Sequence, residues 1–367
     1  MNIAILGTRG IPNNYGGFEQ CAEYLSLGLV KKGHNVTVYS PNYHTYKKSE
    51  YKGVKIIRKK SPRKFFGNSA SNFIYDFFCL KDAVRRDFDI ILELGLITSA
   101  LSIIFIRNHN KVIITNIDGL EWKRSKWNNM IQYFTKKIEK YGVLFSDYLI
   151  ADNKGIQNYI LQEYNRKSEL IAYGTNLNVV VSLEHLKLYS LEKHKYILSI
   201  ARLEPENNLE MMIDGYLLSK VDVPYIIIGN HLTPYGDFLK DKYRNKGVVF
   251  LGGIYDRGYL DSLRFFAKYY LHGHSVGGTN PALLEAMSAS SFICAHNNDF
   301  NQSVIEENAL YFSNNKDVSN ILKNDNNLQQ REKYVKNNLR KIKEVYRWDI
   351  IVDQYEKYMK NILSSKL

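Results

Sequence analysis

The sequence predicts an α/β protein made of two Rossmann-like halves. Short β-branched runs alternate with amphipathic stretches of helical period, as in a parallel sheet covered by helices. The pattern lapses over residues 173–194 and then begins again. At 367 residues, the chain is also too long for one hydrophobic core and suits two domains of ordinary size.

The elements follow in order. "NIAILG" reads as a buried strand stopping at Gly7. After a glycine-rich loop, "FEQCAEYLSLGLVKKG" has helical spacing and closes with Lys31, Lys32 and Gly33, a helix C-terminal signal. "NVTVYS", "VKIIR", "FDIILEL", "KVIITNI" and "DYLIAD" supply further strands. Residues 90–106 are mostly apolar, but Glu93 and Gly95 interrupt them. A membrane span needs ~20 apolar residues, so this segment reads as a buried strand, a turn and a buried helix. The second series is "YILSIARL", "PYIIIG", "VVFLGG" and "SFICA". A last helix, "YRWDIIVDQYEKYMKNIL", has two courses open to it: closing the second half or crossing back to the first. The expected division is residues 1–175, residues 190–345, and a C-terminal helix over residues 346–367.

Composition narrows the class. Hydrophobic residues at 45% and charged residues at 24% fit a folded, water-soluble chain. Cys21, Cys79 and Cys294 are scattered and odd in number, which fits a reducing cytosol better than a disulfide framework. The opening "MNIAILGTRG" is too short an apolar run for a signal peptide. The net charge of +13 is concentrated. Lys47, Lys48, Lys52, Lys55, Arg58, Lys59, Lys60, Arg63 and Lys64 face one acid, Glu50, and the aromatic-rich "FFGNSASNFIYDFF" follows. Such a patch suits an anionic membrane surface; a solvated lysine-rich loop is the competing reading. No nucleic-acid motif accompanies it, so no nucleic-acid partner is expected.

In open α/β sheets, ligands bind beyond the carboxyl ends of the strands, and three post-strand loops are informative. "GTRGIPNNYGGFEQ" lacks dinucleotide-type glycine spacing, yet Gly16 and Gly17 fall at a helix start, where missing Cβ atoms let a ligand reach the backbone. "ARLEPENNLE" places Arg202 where no helix or strand pattern demands it, and a guanidinium can fork onto phosphate oxygens. "LHGHSVGGTNPALLEAM" offers His272 and His274, with no third ligand at metal spacing, so no metal is expected. Gly278, Thr279 and Asn280, with Pro281 at the first helical turn, form an anion site by geometry. Glu285, one turn in, suits hydroxyls. Asp87-Phe-Asp89 resembles the DxD of metal-dependent sugar transferases but borders an apolar strand.

"ARLEPENN" together with "HSVGGTNPALLEAM" resembles the second domain of retaining family-4 glycosyltransferases, whose GT-B fold sets two Rossmann-like domains facing across a cleft. "ILGTRGIPNNYGGFE" and "NIDGLEWKRSKW" resemble the bacterial rhamnosyltransferase subgroup of capsule and cell-wall polysaccharide synthesis. The resemblance runs from Met1 to about Glu307. It implies an acceptor-side first domain and a nucleotide-sugar-binding second domain. Gly16 and Gly17 would face the donor diphosphate and the reacting sugar, Arg202 would clamp the diphosphate, and Glu285 would hold the ribose. Asp118 would lie near the reacting sugar, Ile254 and Tyr255 near the base, and His274 within reach of the donor. Two positions depart from the family. Gly277 stands where the first glutamate of a two-glutamate motif is usual, and Asn207 stands in place of a lysine. A 6-deoxy sugar, with fewer hydroxyls, suits the lost carboxylate.

The resemblance therefore implies retaining transfer of L-rhamnose from dTDP-rhamnose to a lipid-diphosphate-linked sugar. It needs no cofactor or metal, and would occur at the cytoplasmic face of the plasma membrane. UDP-galactose or UDP-glucose as donor, a nucleotide-sugar epimerase of related fold, and a non-catalytic scaffold in a glycan assembly complex remain the alternatives.

Overall fold

A computed structural model describes residues 1–366 apart from 15, 107–109 and 125–126, and the side chains of residues 64–69 are also outside the description. Lys64, Phe65 and Phe66 of the basic-aromatic segment thus lie outside the described side chains. The chain divides into two compact units. One comprises Met1–Lys123, Trp127–Gly174 and Trp348–Leu367; the other comprises Arg124–Lys126 and Thr175–Arg347.

The first unit runs β1 (Asn2–Leu6), α1 (Gly17–Lys31), β2 (Asn35–Pro41), β3 (Glu50–Tyr51), β4 (Val54–Lys59), α2 (Arg63–Ala83), β5 (Ile90–Leu94), α3 (Leu96–Phe105), β6 (Val112–Ile117), α4 (Asn129–Phe145), β7 (Tyr148–Ala151), α5 (Lys154–Tyr164) and β8 (Glu169–Leu170). The sheet order is β3-β4-β2-β1-β5-β6-β7-β8, with β3 antiparallel to β4 and the other pairs parallel. Every residue of β5 and β6 is buried, as a strand covered on both faces requires. Ala4, Leu6, Tyr39, Ile91 and Ile113 pack on one face against Tyr75, Cys79 and Leu80 of α2 and Ile103 of α3. The apolar segment over residues 90–106 is therefore strand, turn and helix, and among the described residues no helix is long and apolar enough to cross a membrane.

The basic run lies along the β3–β4 hairpin, and part of it is used within the unit. Arg58 donates to the Tyr46 and Lys48 carbonyls at 3.0 and 2.6 Å, Lys59 pairs with Asp82 at 2.6 Å, and Arg63 stacks 3.9 Å over Tyr43.

The second unit runs α6 (Glu184–Lys187), β9 (Ile197–Ile200), α7 (Leu209–Ser219), β10 (Tyr225–Ile228), α8 (Pro234–Lys242), β11 (Val248–Gly252), α9 (Arg257–Phe266), β12 (Tyr269–His272), α10 (Pro281–Ser288), β13 (Ile293–His296), α11 (Asp299–Ile305), β14 (Leu310–Phe312), α12 (Asn315–Lys323) and α13 (Arg331–Glu344). Its parallel sheet has the order β11-β10-β9-β12-β13-β14. Asparagine starts many of the helices: Asn128, Asn153, Asn280, Asn298 and Asn314 each accept a first-turn amide of the helix that follows. In both sheets the order reverses beside a central strand, at β1/β5 and at β9/β12. Post-strand loops diverge at such points and leave room for a ligand.

The last helix, α14 (Trp348–Ser364), belongs to the first unit. Gly28 admits it, because a Cβ there would come within 2.5 Å of Val352 Cγ2. Trp348 stacks on Tyr24 with centroids 4.8 Å apart, and Glu356 meets Lys32 at 2.9 Å and His34 at 2.8 Å.

Candidate functional site

In the first unit, β1 stops against backbone. A Cβ on Gly7, at φ 75°, would lie 2.1 Å from the Leu94 carbonyl oxygen, so the chain leaves the switch point there and only glycine fits. The loop that follows is held from inside. Buried Glu19, in the first turn of α1, accepts the Arg9 amide at 2.8 Å, and the Thr8 hydroxyl accepts the Gly10 amide at 2.8 Å. Gly16 is the extended N-cap residue without a side-chain cap, and Gly17 opens the helix. Both glycines thus sit at the helix start, as their spacing suggests. Glu19, which the sequence reading passed over, organises the loop in front of them.

Asp118 follows β6 directly and is half-buried. Cys21 of α1 and Tyr173 share its surroundings with Asp152, the residue after β7. Burial, then Asp152 and Asp118, push the Cys21 thiol up; burial, Cys21, Asp118 and Asp152 do the same to the Tyr173 phenol. A second acidic pair lies under the neighbouring loops. Glu93 of β5 is wholly buried with neither oxygen hydrogen-bonded, and burial, with Asp76 of α2 nearby, pushes its pKa well above the carboxylate range. Burial also raises Asp76, to about 7, although Thr98 and Arg9 pull the other way. The sequence offers one sign of this pair, a glutamate inside an otherwise apolar strand.

In the second unit, the loops after β9 and β12 are strapped together. Asn207 is buried. Its Nδ2 donates to the Arg202 carbonyl at 2.8 Å, and its Oδ1 accepts from His274 Nδ1 at 3.0 Å. Asn208 Nδ2 donates to the Gly273 carbonyl at 2.7 Å, and the Ser275 amide donates to the Glu206 carbonyl at 3.0 Å. Gly273 is obligatory here, because a Cβ would lie 2.1 Å from the Asn207 carbonyl oxygen. Arg202 itself projects outward, largely exposed, with Glu204 at 3.6 Å. The structure thus brings Arg202, Asn207 and His274 together.

The histidines are neutral at physiological pH. Burial, helped by His274 and His296, drives His272 down to about 3; burial, then the Arg202 and Arg124 guanidinium groups, drives His274 down to about 4. Their rings are 6.3 Å apart between centroids, and among the described residues no group of three or more His, Cys, Asp or Glu could hold a metal ion.

The loop continues through Gly277 at φ 137°, a conformation that L side chains rarely adopt, so a glutamate here would strain the backbone. Gly278 and Thr279 are buried. Asn280 caps α10. Its side chain accepts the Ala282 amide at 2.9 Å, its carbonyl accepts the Leu283 amide at 3.0 Å, and Pro281 has no amide hydrogen. The first turn of α10 is therefore self-satisfied. Gly278, Thr279 and Asn280, the residues expected at an anion site, lie directly ahead of this turn.

Glu285 Oε2 accepts from Arg264 Nη2 at 2.5 Å, and Asp261 lies 3.6 Å from the same guanidinium. The Arg264 side chain is 2% exposed and that of Glu285 is 28%, so a fixed cation underpins a half-open carboxylate. Sequence reasoning missed Arg264, because a charge beside Asp261 and Ser262 on an amphipathic helix looks like surface until its burial is known. Ile254 and Tyr255 follow β11, two strands from β9, and Tyr255 is exposed.

Comparison with known proteins adds the fold's identity. Residues 1–176 match a family described as a domain of unknown function, DUF1972. The sucrose-phosphate synthase of Thermosynechococcus elongatus superposes with a TM-score of 0.84 at 15% identity, covering 99% of each chain. The fold is that of the GT-B glycosyltransferases. Anabaena HepE in complex with UDP-glucose shares this fold, with a TM-score of 0.72 at 15% identity over 100% of both chains. In sequence, the chain is 26% identical over 379 residues to an uncharacterized glycosyltransferase of Methanocaldococcus jannaschii, covering 93% of each.

Proposed function

We propose that this GT-B protein is a glycosyltransferase that moves L-rhamnose, with retention, from dTDP-rhamnose to a lipid-diphosphate-linked sugar. Its place is bacterial surface-polysaccharide synthesis at the cytoplasmic face of the membrane. The observation that carries the reading is the strapped pair of loops in the second unit. They hold an outward Arg202, a neutral His274 and the Gly278-Thr279-Asn280 amides, with Glu285 fixed by Arg264 on the helix that follows. Arg202 and the amides would take the charge that grows on the leaving diphosphate, in the place a divalent metal would otherwise fill. Glu285 would accept the ribose hydroxyls. The likeness to the Methanocaldococcus jannaschii glycosyltransferase over 93% of each chain supports the reaction class.

One observation favours a second donor: HepE, of the same fold, binds UDP-glucose. A calorimetric panel of dTDP-rhamnose, UDP-glucose and UDP-galactose, followed by transfer assays to an undecaprenyl-diphosphate-sugar analogue, separates the two. Preferential binding and transfer of dTDP-rhamnose is expected. A preference for UDP-glucose replaces the donor assignment, and failure to bind any nucleotide sugar removes the enzyme reading.

A further inference from the structure

Helix α4 leaves several large apolar side chains exposed on the face turned away from its own unit. Thr135, Glu139, Gly142 and Val143 face inward, and Gly142 lets Leu96 and Ala100 of α3 approach closely. On the opposite side, Met130, Tyr133, Phe134, Tyr141 and Leu144 recur at three-, four- and seven-residue spacing and form one outward stripe. Met130 is 64% exposed, Tyr133 59% and Phe134 58%. Leu101 and Phe105 of neighbouring α3 are also exposed, Phe105 at 75%. Both line a groove of about 1150 Å³ between α2 and α3, where Phe73, Phe77, Lys81 and Arg85 also form the wall. Single exposed apolar residues are ordinary, but a contiguous patch marks an interaction surface.

Charge decides what covers it. Lys137 and Lys140 stand within the stripe, and Lys137 lies 5.3 Å over the Tyr133 ring. The one acid of α4, Glu139, is buried beneath Tyr159 and Tyr164. Outward-facing charge on this helix is thus entirely positive and interleaved with aromatics. A second copy packed symmetrically on the stripe would set these lysines against their own equivalents. An anionic bilayer surface fits instead, because rings and methyl groups enter the headgroup boundary while ammonium groups meet lipid phosphates.

We propose that the outward face of α4, continued by Leu101 and Phe105 of α3, is the surface by which this protein lies on an anionic membrane. This deepens the lipid-linked-acceptor reading and assigns the contact to α4, not to the basic β3–β4 hairpin. The test is co-sedimentation of the full chain with phosphatidylcholine vesicles, with and without phosphatidylglycerol. The wild type is compared with Tyr133→Ser/Phe134→Ser, Lys137→Gln/Lys140→Gln and, as the competing site, Lys47→Gln/Lys48→Gln. Circular dichroism melts confirm that each variant folds. Wild-type binding should require the anionic lipid and weaken as salt rises. Loss of the two lysines should reduce affinity about thirtyfold, and loss of the two rings at least about tenfold, while the hairpin variant stays near wild type. Three results overturn the proposal: no wild-type binding to anionic vesicles, unchanged binding by both α4 variants, or loss confined to the hairpin variant. Vesicle binding is read without nucleotide and nucleotide binding without vesicles, so failure of this assignment is distinct from failure of the enzyme reading.

Discussion

Replacing Arg264 by methionine tests whether Glu285 is a held ligand group or only the end of an ion pair. The guanidinium is almost wholly buried and bonded at 2.5 Å to a carboxylate that is 28% exposed. Removing one partner of a fully buried pair costs about 3–5 kcal/mol. Solvent already reaches Glu285 and methionine keeps most of the packing volume, so the loss here should be about 2–3 kcal/mol. Binding should fall separately. A carboxylate with no fixed partner no longer points one oxygen outward, and hydrogen bonds to a charged group contribute about 1.5–3 kcal/mol. That is a roughly 10- to 100-fold weaker nucleotide complex. Urea denaturation reads the first quantity, and calorimetric titration with dTDP and UDP reads the second. Arg264→Lys, which keeps the charge but not the fork, should fall between. A folded Arg264→Met variant that binds both nucleotides within about twofold of wild type would refute the reasoning.

Asn207→Ala removes one side-chain bond within the loop after β9, to the Arg202 carbonyl, and one that crosses to the loop after β12, to His274; stability should drop by about 1–3 kcal/mol, and nucleotide affinity should fall with it in the same titration. Gly277→Ala forces a side chain into a φ of 137°, so a loss of about 1–3 kcal/mol is expected, read as a lower melting temperature. Asp76 keeps its proton when folded and releases it near pH 4 when unfolded, so its stabilising contribution is complete below that pH and is lost as pH rises through about 7. The rise from 3.8 to about 7 corresponds to at most ~4 kcal/mol. Asp76→Asn should therefore flatten the decline in urea stability between pH 5 and pH 8.

Much of the fold was legible because its strands announce themselves. β1, β5, β6 and β10 are runs of isoleucine, leucine and valine, and burial on both faces demands such composition. β12, "YYLH", and β14, "LYF", were not picked out, since tyrosine and histidine in three or four residues show no period. The return of α14 to the first unit was undecidable from its own spacing, because the reason for it is a gap left at Gly28, 324 residues from Val352. At the site, glycines and Arg202 stood out by position in loops. Residues that act from below did not: Glu19, Arg264 and Asp76 lie on helices, where a charge in an amphipathic pattern looks like surface until burial is known.

The two departures from the glycosyltransferase pattern read differently once the loops are in place. A lysine at position 207 would extend past the loop toward a phosphate, whereas the short amide of Asn207 turns inward and ties the Arg202 carbonyl to His274. That strap holds the β12 loop close to the β9 loop, and the chain then passes through Gly277 at a φ that a glutamate could adopt only with strain. On the resemblance, the absent cation and the absent carboxylate thus both fall in the pair of loops that Asn207 and His274 join. In the proposed enzyme, the strap would shift donor recognition from side chains to Arg202 and backbone amides. Such amides suit a diphosphate and make few demands on sugar hydroxyls, and this is the physical ground for favouring a deoxy sugar over glucose.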